Sequence, residues 1–171
     1  MNNANDIEIK VAVIERPDTA YIERRRNIWD FQQHISQRLL IWSVGSIVAG
    51  LVTLASGKAI GRGLGIQNIT WGAIDGLIAI FGLRAANQRM ADPEAMSPET
   101  EARETENLRR ILWINTGLNI GYLLTGAAIL LTRGRENEEA RGHGIGVLIQ
   151  GSFLFVTDLL SLAELQNKPE V

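Results

Sequence analysis

Charged side chains are almost entirely excluded from four long apolar stretches of this chain, and that segregation constrains its fold more than any other feature. A helix needs roughly 20 predominantly apolar residues to cross a hydrocarbon core roughly 30 Å thick. Leu39–Gly57 and Ile111–Thr132 contain no Asp, Glu, Lys or Arg. Gly63–Leu83 carries Asp75 alone, and Gly142–Leu162 carries Asp158 alone. Buried helices of a soluble bundle would each need a polar outer face, and none of the four has one. The expected fold is therefore all-α: a polytopic membrane protein with four transmembrane helices over about 39–57, 63–83, 111–132 and 142–162. A re-entrant second or fourth segment is the alternative.

Around these spans, residues 1–17 read as a tail, 18–38 as an N-terminal amphipathic juxtamembrane helix, 39–165 as the transmembrane domain and 166–171 as a second tail. Residues 7–14 have the pattern of a short strand, which has no partner in a helical protein. From an N-cap at Asp18 or Thr19, the residues Ile28, Phe31, Ile35, Leu39 and Trp42 recur at helical spacing. The Arg24, Arg25 and Arg26 cluster serves either to touch anionic lipid headgroups or only to set topology. The first apolar run begins at Leu39, so it is expected to act as a signal anchor rather than a cleaved signal peptide.

Lys and Arg resist translocation, so their distribution orients the spans. The two tails and the middle connection hold twelve of them, and the two remaining connections hold five, which places both termini in the cytoplasm. Trp42 and Trp113 lie a few residues into spans on that side, either as interfacial rings or as ordinary packing aromatics. In the middle connection Ser97 is expected to cap a helix starting at Pro98, with Glu99–Arg103 and Glu106–Arg110 as exposed pairs.

The halves resemble each other. Arg38-Leu-Leu-Ile-Trp42 parallels Arg109-Arg-Ile-Leu-Trp113 at an offset of 71, and Gly63–Gly72 parallels Gly142–Gly151 at an offset of 79. Either the fold consists of two tandem hairpins related by a parallel pseudo-twofold axis, or Gly and apolar residues coincide by chance. Small residues four apart, Ser46 and Gly50, Gly72 and Gly76, Gly117 and Gly121, are helix-packing positions where backbones can approach closely. Whether they join helices of one chain or of two is open.

Asp75 lies near the middle of the second span, where a carboxylate costs about 2.5–3.5 kcal/mol, and is expected to face the bundle interior. Asn115 and Asn119 share a face of the third span at similar depth, so an Asn amide is expected to donate to Asp75 unless that carboxyl carries a proton. The group is either a polar clamp between helices or a mid-membrane proton, ion or ligand site. Gln150 and Asp158 are open to the same two readings, with Asp158 alternatively at the cytoplasmic interface. No catalytic signature is present. The chain has no Cys, so thiolate metal sites are excluded, and His34 and His143 fall on opposite sides of the membrane. The Asn68-Ile-Thr70 sequon adjoins a span and is discounted. No metal, cofactor or nucleic-acid partner is expected.

The segments Asn115-Thr-Gly-Leu-Asn-Ile-Gly-Tyr122, Gly142-His-Gly-Ile-Gly146, Gln150-Gly-Ser-Phe-Leu154 and Trp71-Gly-Ala-Ile-Asp75 resemble an uncharacterised family of small bacterial four-helix membrane proteins, over about residues 25–165. The resemblance implies a multi-pass protein of the bacterial inner membrane and carries over no activity. The leading expectation is a non-enzymatic accessory or scaffolding subunit, acting through helix packing as a homo-oligomer or with other membrane subunits. The alternative is a small transporter or channel built on Asp75, Asn115 and Asn119.

Overall fold

A computed structural model describes residues 27–166. The strand pattern at 7–14, the caps at Asp18 and Thr19, the Arg24, Arg25 and Arg26 cluster and most of the C-terminal tail lie outside the described residues.

Four helices form: α1 (Ile28–Ala55), α2 (Ala59–Met90), α3 (Pro98–Leu131) and α4 (Glu138–Gln166). Their lengths of 28, 32, 34 and 29 residues correspond to about 42–51 Å at 1.5 Å per residue, so each overshoots a hydrocarbon core roughly 30 Å thick. All four are long and apolar enough to cross a membrane. Local chemistry sets the boundaries. The Asn27 side chain accepts from the Asp30 amide at 2.8 Å and opens α1, and Gly57, at φ 67°, closes it in the left-handed conformation that suits glycine. Ser97 accepts from Thr100 N at 3.3 Å and Pro98 occupies the first turn of α3, as expected. Asn137 accepts from Ala140 N at 2.9 Å at the start of α4.

The described part of the expected amphipathic helix, from Ile28 onward, is the beginning of α1 and runs into the span without a break. Its apolar face turns inward. Ile28, Trp29 and Phe31 join Leu112, Leu162 and Leu165 in an apolar cluster at the end of the bundle opposite the two short connections. A 3-10 turn at Pro93–Met96 covers this cluster, tied by Trp29 Nε1 donating to the Ala95 carbonyl at 3.1 Å. The expected Glu99–Arg103 and Glu106–Arg110 pairs give way to Arg103–Glu104 at 3.9 Å and Arg109–Glu106 at 3.1 Å. Arg109 and Glu106 are three apart, a spacing that meets as readily as four, whereas Arg103 and Glu104 are adjacent and only just within ion-pair distance; largely exposed pairs of this kind contribute little.

Within the membrane-length portion the usual polarity of a protein is reversed. Ile41, Val52, Leu77, Phe81, Leu124 and Leu131 are exposed, whereas Ser43, Ser46, Asn68, Asp75, Asn119 and Gln150 are buried. Lipid is as apolar as leucine, so burying leucine yields no gain there, and association rests on close backbone approach and hydrogen bonds. α1 packs against α2, α3 against α4, and α2 meets α4 between them. The crossing is backbone against backbone. A methyl on Gly63 would run into the Glu139 carbonyl, and one on Gly142 into the Ile60 carbonyl. The α1–α2 contact is reciprocal between Gly50 and Gly65, where an added methyl would lie 2.8 and 2.7 Å from the opposite carbonyl. The α3–α4 contact is reciprocal between Gly126 and Gly144, at 3.1 Å each way.

These contacts fix the relative register of the two hairpins. α1 ends at Ala55 and α3 at Leu131, 76 residues on; α2 starts at Ala59 and α4 at Glu138, 79 residues on. Gly50 and Gly126 differ by the same 76, and Gly65 and Gly144 by the same 79. The offset of 79 read from the glycine segments thus matches the packing. The offset of 71 from the Trp42 and Trp113 segments does not, because the connection at 132–137 is three residues longer than that at 56–58 rather than eight.

Four of the six expected helix-packing residues, Ser46, Gly50, Gly72 and Gly76, are buried between helices. Gly117 and Gly121 are not: an added methyl at either meets nothing within 4 Å. Gly63→Ala is accordingly expected to lower the thermal unfolding midpoint in detergent, at a cost of about 1–3 kcal/mol from overpacking. Gly121→Ala should leave the midpoint unchanged or raise it, and circular dichroism melts of the two variants check the contrast.

Candidate functional site

The polar residues of the interior fall into four groups. In the first, Gln150 on α4 is 1% exposed and joins three helices. Its Oε1 accepts from Trp42 Nε1 on α1 at 2.8 Å, and its Nε2 donates to Asn68 Oδ1 on α2 at 2.9 Å and to Ser46 Oγ on α1 at 3.2 Å. The Trp42 ring stacks on Phe153 with centroids 3.9 Å apart. Of the two readings of the tryptophans, Trp42 therefore takes the packing one, whereas Trp113 is 55% exposed.

In the second group, Asn119 Nδ2 on α3 donates to Asp158 Oδ2 on α4 at 2.8 Å, with both residues buried. Asn119 is thus committed to Asp158 and not to Asp75. The reason is the packing order: α3 lies against α4, so its inward amide reaches α4 before α2. Asn115, one turn away, is exposed. The trio of Asp75, Asn115 and Asn119 is not assembled.

Asp75 stands as the third group. It faces the interior as expected and is 2% exposed, but its buried Oδ2 has no hydrogen-bond partner. The Ser43 hydroxyl, which packs on Gly76, is turned elsewhere: Ser43 Oγ donates to the Gly72 carbonyl at 2.7 Å. A buried polar atom without a partner is costly, more so where no water reaches it.

The fourth group lies near the two short connections. Trp71 Nε1 donates to Gln67 Oε1 at 3.1 Å, and Gln67 Nε2 meets His143 Nδ1 of α4 at 3.1 Å. Trp71 also sets its ring edge-on to Tyr122 of α3, with centroids 4.9 Å apart. His143 lines an open cleft with Arg133, Glu136, Asn137, Glu139 and Ala140, over which Arg62 pairs with Glu139 at 3.6 Å. Sequence reasoning passed over Gln67, Asn68 and His143 as interior contacts. Gln67 was accessible to the same argument that singled out Asp75, since a polar side chain within an apolar span must find a partner. Among the described residues no three His, Cys, Asp or Glu side chains gather closely enough to hold a metal ion.

Four membrane-length helices around a hydrogen-bonded polar interior define a small four-helix membrane protein. The chain matches the family of unknown function DUF6992 over residues 38–159 and belongs to it. That stretch includes all four polar groups. No curated protein and no solved structure matches the chain.

Gln150→Leu would remove bonds to three partners and leave Asn68, Ser46 and Trp42 to find others. Its expected cost is about 1–2 kcal/mol, the upper range for interhelical hydrogen bonds in membranes. Asn115→Leu, at an exposed position, should be neutral. Reversible unfolding in mixed micelles distinguishes them.

Proposed function

We propose that the protein is a non-enzymatic accessory or scaffolding subunit of the bacterial inner membrane, with both termini cytoplasmic, that works by presenting a helix face to another transmembrane segment. One observation carries this reading. Most glycines of α1, α2 and α4 pack against neighbouring helices, while Gly117 and Gly121, four apart on α3, meet nothing within 4 Å, as Gly45 does on α1, and lie on the helix that carries exposed Leu124. Glycine weakens a helix relative to alanine by about 1 kcal/mol, and a second helix seated on that face would offset this cost. The excess of basic residues in the tails and middle connection supports the orientation. The matching registers of 76 and 79 residues support a tandem duplication in which two hairpins meet about a pseudo-twofold axis.

Crosslinking in native membranes followed by native mass measurement tests the proposal. A homo-oligomer or a stoichiometric partner is expected, reduced at least tenfold in yield by the double substitution of Gly117→Leu and Gly121→Leu with the fold intact. A wild-type protein found only as a monomer without partners contradicts it.

A second reading rests on the unpartnered Oδ2 of Asp75, which favours a mid-membrane proton or cation site in a small transporter. Under that reading Asp75→Asn abolishes proton or cation flux in proteoliposomes. Unchanged flux in the variant, or none in the wild type, removes the transport role and leaves Asp75 as a structural group.

A further inference from the structure

The hydrogen bonds of Gln67 select the tautomer of His143. An indole nitrogen only donates, so the atom of Gln67 that faces Trp71 must be its oxygen. The Gln67 amide nitrogen is thereby turned to His143 Nδ1, and because that nitrogen donates, Nδ1 must accept. The single ring proton then sits on Nε2. A second proton has only Nδ1 to occupy, where it would meet the Gln67 amide hydrogens donor against donor. Gln67 relieves that conflict only by turning its oxygen to His143, which takes it from Trp71, or by withdrawing from His143.

The surroundings give this local event reach. His143 sits between Gly142 and Gly144, and its own backbone nitrogen lies 2.8 Å from where a methyl on Gly63 would stand. Gly146, one turn on, packs on Gln67, where an added methyl would lie 2.5 Å from the Gln67 Cβ. The chain of contacts thus runs from α4 (His143) through α2 (Gln67 and Trp71) to α3 (Tyr122), at the tightest crossing in the fold. His143 is half-buried and lines the open cleft, so protons can reach it. The charged groups around it are Arg62 from α2, Glu139 from α4, and Arg133 and Glu136 from the connection, two of each sign.

We propose that His143 is a proton-binding site whose occupation breaks the Trp71–Gln67–His143 relay and so loosens the crossing of α2 and α4.

The test follows the indole N–H resonance of Trp71 in 15N-tryptophan-labelled protein in lipid nanodiscs, assigned by its loss in Trp71→Phe, between about pH 8 and about pH 5. The expected result is one reversible step in the Trp71 resonance while that of Trp42, bonded to Gln150, stays in place. His143→Asn should abolish the step. Gln67→Glu should abolish it independently, because a carboxylate accepts from the indole and from a protonated imidazole together. A wild-type Trp71 resonance that stays in place, or one that moves as far in either variant as in the wild type, overturns the proposal.

Discussion

The rest of the structure hangs on the contact of the α2 and α4 backbones at Gly63 and Gly142. Each glycine faces a main-chain carbonyl of the other helix, with no room for a methyl group. Dispersion falls steeply with distance, so bare backbones at contact recover attraction that bulkier side chains would forfeit to gaps. Once α2 and α4 are held this closely near the short connections, the outer helices have defined grooves. α1 seats on α2 through Gly50 and Gly65, and α3 on α4 through Gly126 and Gly144. Every one of these contacts is a glycine facing a carbonyl, which is why the chain can place so many of its 17 glycines within helices that would be weakened by them in water.

Close packing by glycine leaves little side-chain volume to fill the interior, and polar groups of modest size occupy what remains. Gln150 fastens α4 to α1 and α2, and Asn119 fastens α3 to Asp158 on α4. At the opposite end, where the helices leave the hydrocarbon, the logic reverts to that of a soluble core: Trp29, Phe31, Leu112 and Leu162 bury apolar surface beneath the 3-10 turn. The molecule therefore joins a conventional hydrophobic cap to a hydrogen-bonded membrane interior. Arg89 lies over the Trp29 ring of this cap at 5.7 Å.

Much of this architecture was legible in the sequence, because the thickness of a bilayer and the cost of charge within it act on composition alone. Ser97 and Pro98 fixed the start of α3 through chemistry local to a few residues. The interior pairing was not legible, since it depends on which helices are neighbours. Asn119 looked as well placed for Asp75 as for any partner, and only the packing of α3 on α4 assigns it to Asp158. The inward Asn119 and the exposed Asn115 are one turn apart, and the 40° by which a helical turn of four residues overshoots a full circle is enough to separate them. In the same way the offset of 71 between the Trp42 and Trp113 segments departs from the helix-end offsets of 76 and 79, whereas Gly65 and Gly144 keep the offset of 79. Glycines that meet a neighbouring backbone are held in register by sterics, whereas Trp42 is stacked on Phe153 and Trp113 is exposed.

Magic-angle-spinning NMR of uniformly 13C-labelled protein in lipid bilayers measures the central contact without altering any residue. Through-space cross-peaks between Gly142 Cα and the Ile60 carbonyl, and between Gly63 Cα and the Glu139 carbonyl, are expected together. Their absence from spectra in which sequential peaks of the same residues are strong would mean that α2 and α4 do not meet there, and would contradict the account.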